Sequence, residues 1–238
     1  MTLTETRHES KTRLLEAALQ VIRAKGYSAT RVEDICEAAG LTKGSFFHHF
    51  ESKEALALAA ANYWIEGTSA VFAAAHYHDH ADPLDRLLAY LDFRKSLLKG
   101  ELHELTCLVG TMVQEVYATH PALREASDRS ISKHAATLVP DIEEAIRQRG
   151  IRGNWTAESL ALYTQATIQG AFILAKARNG IAVAVECIDH LRRYIELLFE
   201  ETGQEGRRGQ EKRLAVEPAL HNQEIHPTAG KLTLRRDT

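Results

Sequence analysis

Arg31, Lys43 and Lys53 are cations, Thr30, Thr42 and Ser45 carry hydroxyls, and His48 and His49 carry imidazoles, all within residues 30–53. Such side chains donate hydrogen bonds to phosphate oxygens and to the edges of bases, so their clustering suits capture of a nucleic acid rather than bond-making. Gly44 among them leaves room for a second backbone to come close. No nucleophile with a base in recognisable local context occurs, so an enzyme is not expected and no catalytic residue is assigned. His76, His78, Asp79 and His80 could in principle ligate zinc or nickel. A structural site needs four oriented ligands, however, and polar residues between helices commonly just meet water, so neither metal nor cofactor is expected.

The segment that would position these donors reads TRVEDICEAAGLTKGSFFHHFESK. Thr30 with Glu33 three residues later has the form of a capping box, and Val32, Ile35, Cys36 and Ala39 then recur at helical spacing. Gly40 can take the left-handed conformation that ends this helix, with Leu41 as the apolar anchor beneath the turn. Thr42 caps a second helix over about 43–50, in which Phe46 and Phe50 stand four apart and share the buried face. Lys43, Gly44, Ser45, Phe47, His48 and His49 are left on the exposed flank and leading end, where a recognition helix meets the duplex. Ser52 caps a third helix with Lys53 in its first turn.

On these residues, positions 10–60 resemble the N-terminal domain of the tetracycline-repressor-like (TetR) family of transcriptional regulators. Thr30, Ala39, Gly40, Thr42, Gly44, Phe46, His49, Phe50, Ser52, Lys53 and Glu54 fall where the family pattern has them. Phe47 departs from it, since the family usually has tyrosine there. The resemblance implies loss of one neutral phosphate contact, worth about 0.5–1.5 kcal/mol and too little to abolish binding. It also implies a double-stranded DNA operator, a small effector of unknown class, a homodimer, and repression as the usual outcome.

Net charge is −3, which alone argues against a DNA binder. The acidity is uneven: residues 1–53 hold 8 Lys and Arg against 7 Asp and Glu, while 54–201 hold 14 against 20. Binding should therefore depend on local placement of Arg31, Lys43 and Lys53 and be strongly salt-dependent. Without a run of about eighteen apolar residues or a secretory signal, no membrane partner is expected and the cytoplasm follows by default. Three widely spaced cysteines, Cys36, Cys107 and Cys187, argue against a disulfide framework.

Helical periodicity without strand alternation predicts an all-α fold: an N-terminal three-helix helix-turn-helix domain (1–53), a C-terminal helical domain for effector binding and dimerisation (54–201), and a disordered tail (202–238) rich in Gly, Pro and Arg. Within the second domain, helices are expected at about 52–75, 83–99, 103–119, 121–149 with a break at Pro140, 156–178 and 182–201. Ile168, Ala171, Phe172 and Ala175, and Ile188, Leu191, Ile195 and Leu198, mark apolar seams on the last two helices. Family resemblance assigns such a pair to a four-helix bundle with a second subunit, and two recognition helices about 34 Å apart would read a palindrome. It likewise implies an effector pocket, for which the candidates are Trp64, Phe72, Tyr90, Phe93, Cys107, Met112, Tyr117 and Tyr163, each of which could equally be core. The segment around Cys107 is similar to one branch of the family in which a cysteine responds to electrophiles. The alternative is a thiol packed as a small hydrophobe. A helical small-molecule carrier that does not bind DNA is the remaining alternative.

Overall fold

The computed structural model describes residues 3–200, in which eleven α-helices and one 3-10 turn form an all-helical fold; no strand occurs among the described residues. The tail expected to be disordered, 202–238, lies outside them. Helix α1 (Leu3–Lys25) stops at Gly26, whose φ of +87° suits glycine, and whose Cβ, if present, would collide with the Glu115 carboxylate. Helices α2 (Val32–Ala39) and α3 (Lys43–His49) are joined by Gly40 in the left-handed conformation, with the Gly40 and Leu41 amides donating back to Glu37 O and Cys36 O. Thr42 Oγ1 accepts from Ser45 N at 3.2 Å, and Ser52 Oγ from Ala55 N at 3.0 Å, so both expected caps form.

The cap expected at Thr30 does not. Its hydroxyl donates to Gly26 O at 2.6 Å and the residue is 1% exposed, closing the turn after α1 instead. Helix α2 starts a residue later, with Arg31 as N-cap and Asp34, rather than Glu33, accepting from Arg31 N at 2.7 Å. Asp34 also meets Lys25 at 2.6 Å; the Lys25 ammonium first, then the Arg31 amide and guanidinium, hold this carboxyl far below the usual range.

Helix α4 (Lys53–Ala73) leads to the 3-10 turn His76–Asp79 and to α5 (Pro83–Ser96), which Asp82 caps by accepting from Leu84 N at 2.8 Å. The single helix expected over 103–119 is two: α6 (Leu102–Leu105) and α7 (Leu108–Val116). Thr106 and Cys107 between them are extended, and Cys107 Sγ caps α7 by accepting from Gly110 N at 3.4 Å. Pro140 splits the next stretch as expected, into α8 (Pro121–Ala136) and α9 (Val139–Arg149). Then come α10 (Ala157–Ala177), capped by Thr156, and α11 (Ala182–Glu200).

Two apolar cores result. One gathers Leu14, Ile22, Ile35, Phe46, Leu56 and Ala60 from α1–α4 around Leu108, Met112 and Leu123 of α7 and α8. The other joins α5, α9, α10 and α11 with Phe72 at the far end of α4. The apolar seams that periodicity marks, and that the resemblance assigned to a dimer, are turned inward: Ile168, Ala171, Phe172, Ala175, Ile188, Leu191 and Ile195 are at most 8% exposed in this second core, and Leu198 packs against it. A helical repeat marks a face that is buried, and here the chain itself buries it. The opposite faces of α10 and α11 carry Leu162, Tyr163, Ile173, Leu174, Tyr194 and Leu197, each between 43% and 55% exposed.

Candidate nucleic-acid interface and cavity

Phe46 and Phe50 are 0% and 6% exposed, their rings 5.9 Å apart over the core below α3. Seating these two rings fixes the rotation of α3 and puts Lys43, Phe47 and His48 on its outer side, Phe47 with 58% of its surface open. Thr42, Gly44 and Arg31 are exposed beside them, and Ser45 partly so. A Cβ on Gly44 would meet only Thr42 Oγ1 at an ordinary 3.6 Å. The fold does not need glycine there, although an exposed helical glycine costs about 0.5–1 kcal/mol relative to alanine, which leaves close approach from outside as its use.

Not every expected contact is free to reach a duplex. Thr30 is buried and its hydroxyl spent. The Lys53 ammonium donates to Tyr27 O and Thr30 O, both at 3.0 Å, and lies 4.3 Å from the Tyr27 ring centre, with burial lowering its pKa. Lys53 thus holds the loop before α2 rather than facing outward. His49 shares a 2.7 Å hydrogen bond with Ser10 of α1. Lys43 pairs with Glu33 and Arg31 with Asp34, both on the surface. Exposed pairs of this kind contribute about 0–1 kcal/mol, so they can open towards phosphate at small cost. Lys11, which motif spacing did not single out, lies on the exposed face of α1 with its ammonium 5.8 Å from the Phe50 ring.

Residues 14–60 match the family described as bacterial regulatory proteins, tetR family, and residues 83–191 match the tetracyclin repressor-like C-terminal domain. A TetR transcriptional regulator from Chloroflexus aurantiacus superposes with a TM-score of 0.69 at 31% identity, covering 81% of this chain and 96% of that one. This chain belongs to the TetR family. It is also 28% identical over 167 residues to the transcriptional repressor DhaR of a Mycobacterium species, spanning 70% of this chain and 82% of DhaR. The match to the regulator YerO of Bacillus subtilis is shorter, 40% identical over 58 residues, and covers 20% of that protein. The protein is accordingly a DNA-binding transcriptional regulator and not an enzyme. No helix among the described residues is long and apolar enough to cross a membrane.

In this TetR-family chain a cavity of about 740 Å³ opens between α4, α5, α6, α8 and α10. Of the expected pocket residues, Trp64, Phe72 and Cys107 line it. Tyr90 lies one layer behind, fully buried, its hydroxyl held between Gln165 Nε2 and His134 Nε2, each at 3.0 Å. Phe93 faces a smaller cavity on the outer side of α5. Met112 belongs to the other core, while Tyr117 (61% exposed) and Tyr163 (48%) point outward. Aromatic spacing does not tell cavity from core or surface, because the lining comes from helices far apart in sequence. It also passed over Arg94, His134 and Gln165, polar residues whose shared location only the fold shows. In the histidine-rich turn, His76 Nδ1 pairs with Asp79, and His78 Nε2 meets Phe72 O at 3.1 Å.

The second half of the molecule is tied to the first by polar contacts around the end of α1. Glu115 of α7 accepts from Tyr27 N at 3.1 Å and Ser28 N at 2.8 Å. Arg23 donates to Glu104 O at 2.7 Å and lies over Trp64, and Lys176 of α10 donates to Arg23 O at 3.4 Å.

Burial first, and Arg94 second, lower the pKa of His134 from its usual 6.5 to about 4. The folded protein therefore keeps this imidazole neutral where an unfolded chain would bind a proton. Above pH 6.5 His134 leaves stability unchanged; as pH falls towards 4 it should remove up to about 3 kcal/mol. Urea denaturation across that window should show a steeper loss in the wild type than in His134→Gln, and parallel curves would refute the assignment.

Proposed function

We propose that the protein is a cytoplasmic homodimeric repressor whose α3 helices read the two halves of a palindromic operator, and which releases DNA when a small molecule occupies the cavity beside α4. The observation that carries this is the outward set of Lys43, Gly44, Phe47 and His48 above the buried Phe46 and Phe50. Residues 1–53 then serve as the DNA-reading part, with Arg31, Thr42, Ser45, His49 and Lys11 beside the groove, and 54–201 as the effector and dimer part. Repression is carried over from relatives such as the repressor DhaR.

Dimerisation is assigned to the outward faces of α10 and α11. Leu162, Tyr163, Ile173, Leu174, Tyr194 and Leu197 form an apolar surface there, with the Tyr163 and Tyr194 rings 5.2 Å apart. A patch of this kind on two adjacent helices fits a two-fold contact between identical faces. The effector acts through α4, whose far half walls the cavity and whose near half packs under α1. A ligand can shift the equilibrium between DNA-binding and released forms only by its difference in affinity for the two.

Cys107 supports a second mode of control, because this residue is part of the wall of the same cavity. An activated alkene admitted there would form a bond from sulfur to its β-carbon, the thiol proton passing to the α-carbon.

In a mobility-shift assay with DNA flanking the gene, one fragment should be retarded, and Lys43→Ala should lower the slope of log affinity against log salt by about two for a dimer. His48→Ala should abolish the preference for that fragment. No retarded fragment at low salt favours the carrier instead. Leu174→Glu with Leu197→Glu should yield monomers in analytical ultracentrifugation, and an unchanged dimer removes the assigned face. After N-ethylmaleimide treatment the wild type should release DNA while Cys107→Ser retains it; equal release ends the thiol mechanism.

A further inference from the structure

Arg94 is the unusual residue of the cavity. It sits half-buried on α5 with its guanidinium carbon 5.3 Å from the Phe72 ring centre and 5.6 Å from that of Phe172. These contacts set its guanidinium beside two aromatic rings, which take none of its N–H donors as a carboxylate would. No hydrogen bond or ion pair to it occurs among the described residues. Of the charged side chains lining the cavity, Arg94 and Lys133 are cations and Glu104 is the carboxylate. Glu104 turns its carboxylate to the Glu101 amide at 3.2 Å, closing the first turn of α6 rather than pairing with Arg94.

Two hydroxyls facing the cavity are already engaged within the chain. Thr68 Oγ1 donates to Trp64 O at 2.7 Å, and Thr137 Oγ1 donates to His134 O at 2.7 Å. Behind the wall, the Tyr90 hydroxyl accepts from Gln165 Nε2 and shares a 3.0 Å hydrogen bond with His134 Nε2. Of the two cations lining the cavity Arg94 is the half-buried one, and it shares the pocket with the apolar Trp64, Ile65, Phe72, Leu97, Leu98 and Ile131. A cationic ligand would face this charge, and a neutral one would leave its donors desolvated and unpaired.

We propose that the cavity binds an amphipathic monocarboxylate, its carboxylate paired side-on with the Arg94 guanidinium and its apolar body against Trp64, Leu97 and Ile131. Planar guanidinium and carboxylate match in two parallel hydrogen bonds. The volume of about 740 Å³ is far more than an acetate-sized acid fills and lies within the range of sites for larger organic molecules. This deepens the effector role proposed above and rests on it only for the link to DNA release.

Isothermal titration of the full chain with dodecanoate, 1-naphthaleneacetate and pyrenebutyrate, beside dodecanol and dodecylamine, tests the ligand class. At least one carboxylate should bind, dodecanol should bind about tenfold to a hundredfold less tightly than dodecanoate or the matching acid, and dodecylamine less still. Arg94→Gln should erase the preference for acid over alcohol, while Lys133→Ala, at the rim, should leave it within about threefold. Circular dichroism melting shows that each variant is folded. Carboxylate affinity unchanged in Arg94→Gln, equal binding of alcohol and acid, or no binding of any of the three acids overturns the proposal. The retarded DNA fragment is titrated in parallel. Acid binding through Arg94 without DNA release refutes the effector role and keeps the cavity assignment. Release by an uncharged compound with Arg94 dispensable does the reverse.

Discussion

Everything in this molecule turns on the packing of α4, because one uninterrupted helix serves both cores. Its first half buries Leu56, Ala57, Ala60 and Ala61 against α1 and α8, where small side chains bring the helices close enough to behave as one body. Its second half supplies Trp64, Thr68 and Phe72 to the cavity wall. A helix of 21 residues is about 30 Å long, so a small tilt imposed at Phe72 becomes a displacement at Ser52. There the Lys53 ammonium grips Tyr27 O and Thr30 O, and the loop that launches α2 must follow. Lowered by burial, the pKa of Lys53 records the cost of putting a cation in that position, which two carbonyls and an aromatic face offset.

Glu115 fastens the same loop from the opposite side. Its carboxylate takes the two amides of Tyr27 and Ser28, and charge-assisted bonds to backbone donors are stronger than neutral ones. Because Glu115 lies on α7, whose cap is Cys107, the proposed effector mechanism has two routes from the cavity to the DNA-reading helices, one along α4 and one through α7. The absence of a side chain at Gly26 makes room for the carboxylate, and that glycine's left-handed φ turns the chain towards it.

Much of the reading end was legible because local chemistry writes it. Thr42, Ser52 and Asp82 cap the helices their spacing announced, Gly40 turns where a glycine was needed, and Phe46 and Phe50 are buried as a four-residue repeat requires. Thr30 misled because a hydroxyl can either accept at a helix start or donate to the preceding turn, and sequence does not decide between them. The break at Cys107 was hidden since Thr106 and Cys107 sit inside an apolar helical repeat and the sulfur itself provides the cap. The α10 and α11 seams show the limit of periodicity. Ile168 and Ile188 were correctly marked as buried, yet the repeat is silent about whether the covering surface comes from the same chain. The cavity was least visible: Arg94, His134 and Gln165 meet only after α5, α8 and α10 pack, and no local pattern links them.

The charge distribution becomes intelligible once the two ends have different tasks. A chain of net charge −3 would be repelled by a duplex if its charges were spread evenly. In the folded protein, Asp34 is engaged with Lys25 and Arg31 and Glu33 with Lys43, so two acids of the neighbouring α2 are paired with cations beside α3. Within about 10 Å, the screening distance at moderate salt, the duplex would meet the Lys43 end of α3 rather than the acidic bulk behind it. In the proposed dimer, the outward faces of α10 and α11 form the fixed frame, and α4 is the element free to alter the spacing between the two α3 helices. A displacement too small to unfold anything is then enough to put one recognition helix out of register with the groove, because the operator offers its half-sites at a fixed helical repeat.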